Sequence, residues 1–217
     1  MTERAVETIV SDPGVKSAYR TTLKVAPAFH QISKVSIVIP CYNESAGLVS
    51  LRDALAPVIK RLQHDNAVEL VLVDDGSRDD TFESLSTLFQ SSGGLQVKII
   101  RHDRNRGLSS ALRSAAAAVT GDVVLTLDAD CTYRPDEVFG LLSTMRKTGA
   151  DLVTGSPYHP EGKVENVQGW RLALSRSASR MYGALVPEKL YCYTSMFRAY
   201  RREWFRADLI TSDHFVG

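Results

Sequence analysis

Short runs of β-branched residues recur along the chain, and between them lie longer segments whose apolar positions return at helical spacing. The first run, VSIVIP from Val35, is too brief for a helix and apolar on both faces, as expected of a strand covered from each side. The same texture returns at Glu69–Val73, Val97–Ile100, Val123–Leu127 and Leu152–Thr154, and a last strand is predicted over Thr194–Tyr200. Helices are predicted at Ser45–Gln63, Asp80–Phe89, Leu108–Val119 and Pro135–Lys147, the last with proline where its missing N–H costs little. In the first of them Leu48, Leu51, Leu55, Val58, Ile59 and Leu62 form one stripe, which Pro57 should kink or shorten. Regular alternation of this kind implies right-handed βαβ units, hence an α/β fold with a mostly parallel central sheet flanked by helices.

Outside this pattern lie two stretches of different character. Residues 1–34, broken by Pro13-Gly14 and Pro27, read as an N-terminal extension ahead of one domain over 35–217. After Thr154, SPYHPEGKVENVQGW has the composition of a long surface loop, and Arg171–Leu185 follows as a helix with a basic face, read as core-packed in preference to membrane-bound.

Composition narrows the partners. A length of 217 residues suits one well-buried core, and 26 basic against 25 acidic residues give no field that would gather nucleic acid or an anionic membrane. Any membrane contact would be peripheral or lie outside this chain, since no run approaches a span and MTERAVETIVSDPG lacks a secretory layout. Three scattered cysteines, Cys41, Cys131 and Cys192, fit a reducing compartment, so a cytoplasmic location is expected, at a membrane's cytoplasmic face if at a membrane at all.

In an open parallel sheet, ligands bind beyond the carboxyl ends of the strands, so the residues just past each run carry the candidate chemistry. The first run leads into Pro40-Cys41-Tyr42-Asn43-Glu44, the second into Asp74-Asp75-Gly76-Ser77, and the fourth into Asp128-Ala129-Asp130. Their carboxylates should crowd one edge, where a bound cation would relieve the repulsion. Asp128 and Asp130 share one direction if the backbone stays extended, and such a pair suits Mg²⁺ or Mn²⁺; the five histidines are too scattered for zinc. The alternative is a plain turn leading into the helix at Pro135. Asp75 is a candidate acceptor for a ribose hydroxyl or base N–H, and Tyr42 and Glu44 for a base's face and its donors, although Tyr42 could equally pack. Ser77 with Asp80 could instead cap the next helix. Arg106, in Asn105-Arg106-Gly107, and Arg198 are candidate phosphate contacts.

Together these segments resemble the family 2 glycosyltransferases of GT-A fold, particularly the polyprenyl-phosphate members such as the dolichyl-phosphate mannosyltransferases. The resemblance rests on VSIVIPCYNES, LVLVDDGSRDDT, RNRGLSSALRSA, GDVVLTLDAD and TSMFRAYRRE, in family order over roughly Val35 to Trp204. It implies that Pro40, Tyr42, Glu44 and Asp75 hold the nucleoside, that Asp128 and Asp130 hold a divalent metal on the diphosphate with Ala129 between them at the nucleotide, and that Arg198 meets a phosphate. It further implies inverting transfer from a nucleotide-diphosphate sugar, GDP-mannose or a UDP-hexose, to an acceptor such as a polyprenyl phosphate. The acceptor side departs from the pattern: Cys192 stands where an Asp is common, Met196 replaces a glycine, and Pro157 takes the place of an arginine. Family members run past the TSDxF-like region near which this sequence stops, and Asp213 is the nearest candidate base for a hydroxyl acceptor. Two other readings stay open: a non-catalytic nucleotide-sugar-binding subunit, and a nucleotidylyltransferase, which would want a basic Gly-rich loop where CYNESAG stands.

Overall fold

The computed structural model describes residues 32–155 and 195–210. They fall into two compact units, one holding 32–136 and 200–210, the other 137–155 and 195–199. Of the expected N-terminal extension only 32–34 are described, and Lys34 already belongs to a strand. The predicted loop and helix between Ser156 and Thr194, with Pro157 and Cys192, lie outside the described residues, as does Asp213.

In the larger unit, β1 (Lys34–Cys41), α1 (Leu48–Leu62), β2 (Ala67–Asp74), α2 (Thr81–Leu88), β3 (Leu95–Arg101), α3 (Leu108–Ala118) and β4 (Val123–Thr126) follow one another in the predicted alternation. The strands stand in the order β3-β2-β1-β4, and every pairing among them is parallel. The register pairs Cys41 with Asp74 and Asp74 with Arg101, so these strands end level and their following loops open on one edge.

Both faces are covered, as the unbroken apolar runs require. Val38, Val71, Val73 and Val124 pack against Ala111, Ala115, Ala116 and Val119, where the small side chains of α3 let the helix lie close on the sheet. The alternate positions Ile37, Ile39, Leu70 and Leu72 are equally buried and point to the other face. There α1 and α2 lie against β2, and α1 buries its predicted stripe. After β6 (Arg198–Arg201), Arg202 donates from Nε to the Val119 carbonyl at 3.1 Å, anchoring the basic segment on the C-terminal end of α3. Phe205 then seals the core, its ring 5.2 Å from that of Tyr200.

In the smaller unit α4 (Val138–Thr148) packs on β5 (Leu152–Thr154), burying Leu141, Leu142, Met145 and Val153. No helix among the described residues is long and apolar enough to cross a membrane.

Of the two effects expected of Pro57, shortening does not occur: α1 runs on to Leu62, and the proline sits on the exposed side, where the carbonyl it leaves unbonded can meet water. Two further local expectations are corrected. The last strand begins at Arg198, and Ser195–Phe197 ahead of it are not strand, because Ser195 Oγ takes the Phe197 N–H at 3.1 Å and turns the chain locally. The first run is not wholly apolar inside: Ser36 is fully buried and its Oγ donates to Glu69 at 2.6 Å.

Candidate functional site

The loops after β1 and β2 are tied to each other by hydrogen bonds across the sheet edge. Asn43, held at φ 55°, donates its N–H to Ser77 Oγ at 2.9 Å, and its side-chain oxygen accepts from Arg78 N at 2.9 Å. The Glu44 N–H reaches Thr81 Oγ1 at 2.8 Å, and that of Ser45 reaches Asp79 Oδ2 at 3.2 Å. Asp79 also accepts from Thr81 N and Oγ1 at the start of α2, the capping role the sequence suggested for Asp80, whose side chain makes no cap bond. Burial would raise the Asp79 carboxyl, but the hydrogen bonds from Thr81 and Ser45 prevail and hold it at about 2. Ser77 likewise serves the loop: its N–H is taken by Asp74 Oδ1 at 3.0 Å.

This frame leaves Tyr42 37 % exposed, so its ring is open for stacking rather than packed in the core. Pro40 is half-buried at the end of β1. The Glu44 carboxyl is raised above its ordinary value by burial first, then by the carboxylates of Asp130 and Asp79. Three acids from three loops therefore share one field; Glu44 and Asp130 were expected at this edge, and Asp79 joins them. Cys41 behind them is inert, since burial and then Glu44 and Asp74 push its thiol up to about 12.

Asp75 is held differently. It is 4 % exposed and is surrounded by donors of its own chain: Oδ1 accepts from His102 Nδ1 at 2.6 Å and from Arg106 N at 3.0 Å, and Oδ2 from Gly107 N at 2.7 Å. Asp75 stands at the same strand end, its N–H bonded to the Cys41 carbonyl at 2.9 Å, but its carboxylate is occupied by backbone N–H groups and an imidazole of its own chain. Arg106 is exposed, and its guanidinium forks onto Asp103 through Nε at 3.0 Å and Nη2 at 2.5 Å. A surface pair of this kind is weak enough to yield to a phosphate. His102 is the residue that the sequence reading missed. It stands just past β3, by the same rule that selected Asp75 and Asp128, but a lone histidine gave no reason to apply that rule to the third run.

Gly76 fixes this loop from its other side. Its φ is 68°, and a Cβ there would lie 2.2 Å from the backbone carbon of Arg104. Gly76→Ala should therefore combine left-handed strain with a backbone clash, destabilising the protein by about 2 kcal/mol or more in urea unfolding. Unchanged stability in that variant would mean that the two loops are not pressed together.

Asp128 is half-buried and Asp130 exposed, with Ala129 buried between them, just past the Val38–Thr126 pairing of β1 and β4. Asp130 closes its own turn by accepting from Thr132 N and Thr132 Oγ1, each at 2.8 Å, while Cys131 adopts φ 54°. The turn and the metal pair are thus compatible readings of the same residues. As donors the two carboxylates fit a hard divalent ion. Among the described residues no group of three or more His, Cys, Asp or Glu side chains is set to hold a metal, so such an ion would draw its remaining oxygens from ligand and water. Arg198 opens β6 in the smaller unit, and Met196 is half-buried there.

The model of one family, described as Glycosyl transferase family 2, matches residues 36–209. A dolichol-phosphate mannosyltransferase of Pyrococcus furiosus is 37% identical over 155 residues, covering 71% of this chain and 42% of that protein. An undecaprenyl-phosphate 4-deoxy-4-formamido-L-arabinose transferase of Sodalis glossinidius is 37% identical over 178 residues, covering 79% and 50%. The chain thus spans about half the length of the curated relatives it matches. Among solved structures, a mannosyltransferase from Pyrobaculum calidifontis in complex with GDP-Man and Mn²⁺ superposes with a TM-score of 0.55 at 20% identity, over 82% of this chain and 47% of that one. That likeness establishes the GT-A fold.

Proposed function

The chain belongs to glycosyl transferase family 2, and from that premise we propose that it moves a sugar from a nucleotide-diphosphate sugar to an acceptor. The observation that carries this reading is the sheet edge itself. The register there sets an exposed aromatic ring, a buried carboxylate with an unused acceptor position and a pair of hard oxygen donors on adjacent loops. Tyr42 offers a face for the base, with Pro40 two residues earlier in β1, and Glu44 can accept a base N–H. The second lone pair of Asp75 Oδ2 serves a ribose hydroxyl or base N–H. Asp128 and Asp130 would hold Mg²⁺ or Mn²⁺, with Ala129 beside the nucleotide; when bound, that ion supplies positive charge where the departing diphosphate gains negative charge. Arg106 and Arg198 are the phosphate contacts of this reading, and exchanging Asp103 for a diphosphate costs Arg106 only a surface ion pair.

For the acceptor we propose a polyprenyl phosphate, which the names of the two relatives support. Such an acceptor is already ionised near neutrality, so the reaction needs no strong general base. It would also bring the protein to a membrane surface in a peripheral manner.

A thermal-shift panel tests the donor half. UDP or GDP at about a hundredfold its Kd should stabilise the protein by roughly 2.7 kcal/mol, a shift of several degrees, with Mn²⁺ increasing the effect. If no nucleoside diphosphate raises the midpoint with Mn²⁺ present, the assignment is wrong.

A further inference from the structure

A continuous line of hydrogen bonds runs from α3 through an imidazole and a carboxylate to two backbone N–H groups at the sheet edge. Ser114 Oγ lies 2.8 Å from His102 Nε2, His102 Nδ1 lies 2.6 Å from Asp75 Oδ1, and Asp75 then receives Arg106 N and Gly107 N. With three donors converging on it, Asp75 acts as an acceptor, so Nδ1 is the ring nitrogen that carries the proton. The Ser114 hydroxyl can donate or accept and satisfies whichever role Nε2 takes. His102 is itself 6 % exposed, and its backbone N–H is bonded to the Asp74 carbonyl at 2.9 Å, so the ring has no freedom to leave.

A carboxylate turns readily about its last torsion, which is broad and two-fold. The two backbone N–H groups alone would leave Oδ1 with spare acceptor capacity in a site nearly closed to water. The ring fills that capacity, and the remaining acceptor position of the group is then confined to Oδ2. We infer that His102 is a positioning residue of the nucleoside site, holding Asp75 in the one orientation that both orders the Arg106–Gly107 turn and presents Oδ2 to a donor N–H or O–H of the bound nucleoside. This rests on the proposed role of Asp75 in donor binding. Catalysis does not pass through the ring, which touches neither sugar nor phosphate in this scheme.

Two substitutions separate positioning from mere core filling. His102→Asn keeps an N–H donor at the level of Nδ1, while His102→Gln moves it out to the level of Nε2, toward Ser114 and away from Asp75. Both remove the aromatic ring. Calorimetric titration of the full chain with UDP and GDP in the presence of Mn²⁺ should show His102→Gln weakened on the order of tenfold, the factor that about 1.4 kcal/mol produces. The asparagine variant should stay within about threefold of the wild type, a difference of well under 1 kcal/mol. Amide hydrogen exchange without nucleotide should show Arg106 and Gly107 less protected in the glutamine variant only. Equal loss in both variants would reduce His102 to a packing residue, and wild-type affinity in His102→Gln would remove the role altogether. If the wild type binds neither nucleotide, the donor-site reading fails, and the part of the inference that concerns nucleoside goes with it; the exchange pattern then judges the hold on the turn by itself.

Discussion

Asp130→Asn is expected to lower metal-dependent transfer by about two to three orders of magnitude while leaving the fold intact. The two halves of that expectation have separate grounds. The side chain is exposed, and among the described residues its hydrogen bonds go to Thr132 within the same turn. The asparagine oxygen can keep one of them, so stability should change by less than about 0.5 kcal/mol, as for an ordinary surface site. On the proposed metal site, what is lost is one of two anionic donors to the ion, and no third acid from the described residues is set to replace it. Glu44, whose carboxyl is raised by burial first and then by Asp130 and Asp79, belongs to the loop between β1 and α1, where its N–H is bonded to Thr81. The measurement is turnover against Mn²⁺ concentration, with unfolding curves on the same preparations. Turnover at the wild-type level would remove the metal assignment; a collapsed melting transition would mean that Asp130 is a structural turn residue first.

The strand runs and helical stripes were legible because burial on both faces leaves a chain little choice. An unbroken β-branched run can only be a covered strand, and the α1 stripe was recovered residue for residue. The edge was legible for a related reason: polar residues directly after such runs have no place in the core and must line the ligand side. What stayed hidden was every pairing that depends on which strands are neighbours. Asp75 looked like one more repelling carboxylate until β3 was placed beside β2, bringing His102 and the Arg106–Gly107 turn to it. Glu69 looked like the polar start of an apolar run, and only the register opposite Ser36 shows that it faces inward. Periodicity reports how much of a residue is covered, and it is silent on what covers it.

Glu69 supports the second large effect, this time on stability. The carboxylate is fully buried in β2 and accepts from Ser36 Oγ at 2.6 Å, Thr120 Oγ1 at 2.9 Å, Gly121 N at 3.2 Å and Lys98 Nζ at 3.1 Å, with a further bond from Thr120 N. Lys34 Nζ stands 3.3 Å away. The site is assembled from β1, β2, β3 and the turn before β4, and it depends on Gly121, where a Cβ would lie 2.7 Å from the backbone nitrogen of Ser36. Glu69→Ala would leave these donors facing an empty buried space, and breaking such a buried charged group costs about 3 to 5 kcal/mol. Burial by itself would raise the Glu69 carboxyl, but the hydrogen bonds from Ser36, Thr120 and Lys98 outweigh it and hold the group at about 2. Because that lies below the roughly 4.3 of an unfolded glutamate, the folded state gains stability above that pH and loses it as pH falls toward 2. Urea unfolding of wild type and Glu69→Gln at pH 7 and near pH 3 should therefore show the gap between them narrowing in acid. A gap that is absent at pH 7, or constant across that window, would show that the carboxylate's charge contributes nothing to holding the four strands together.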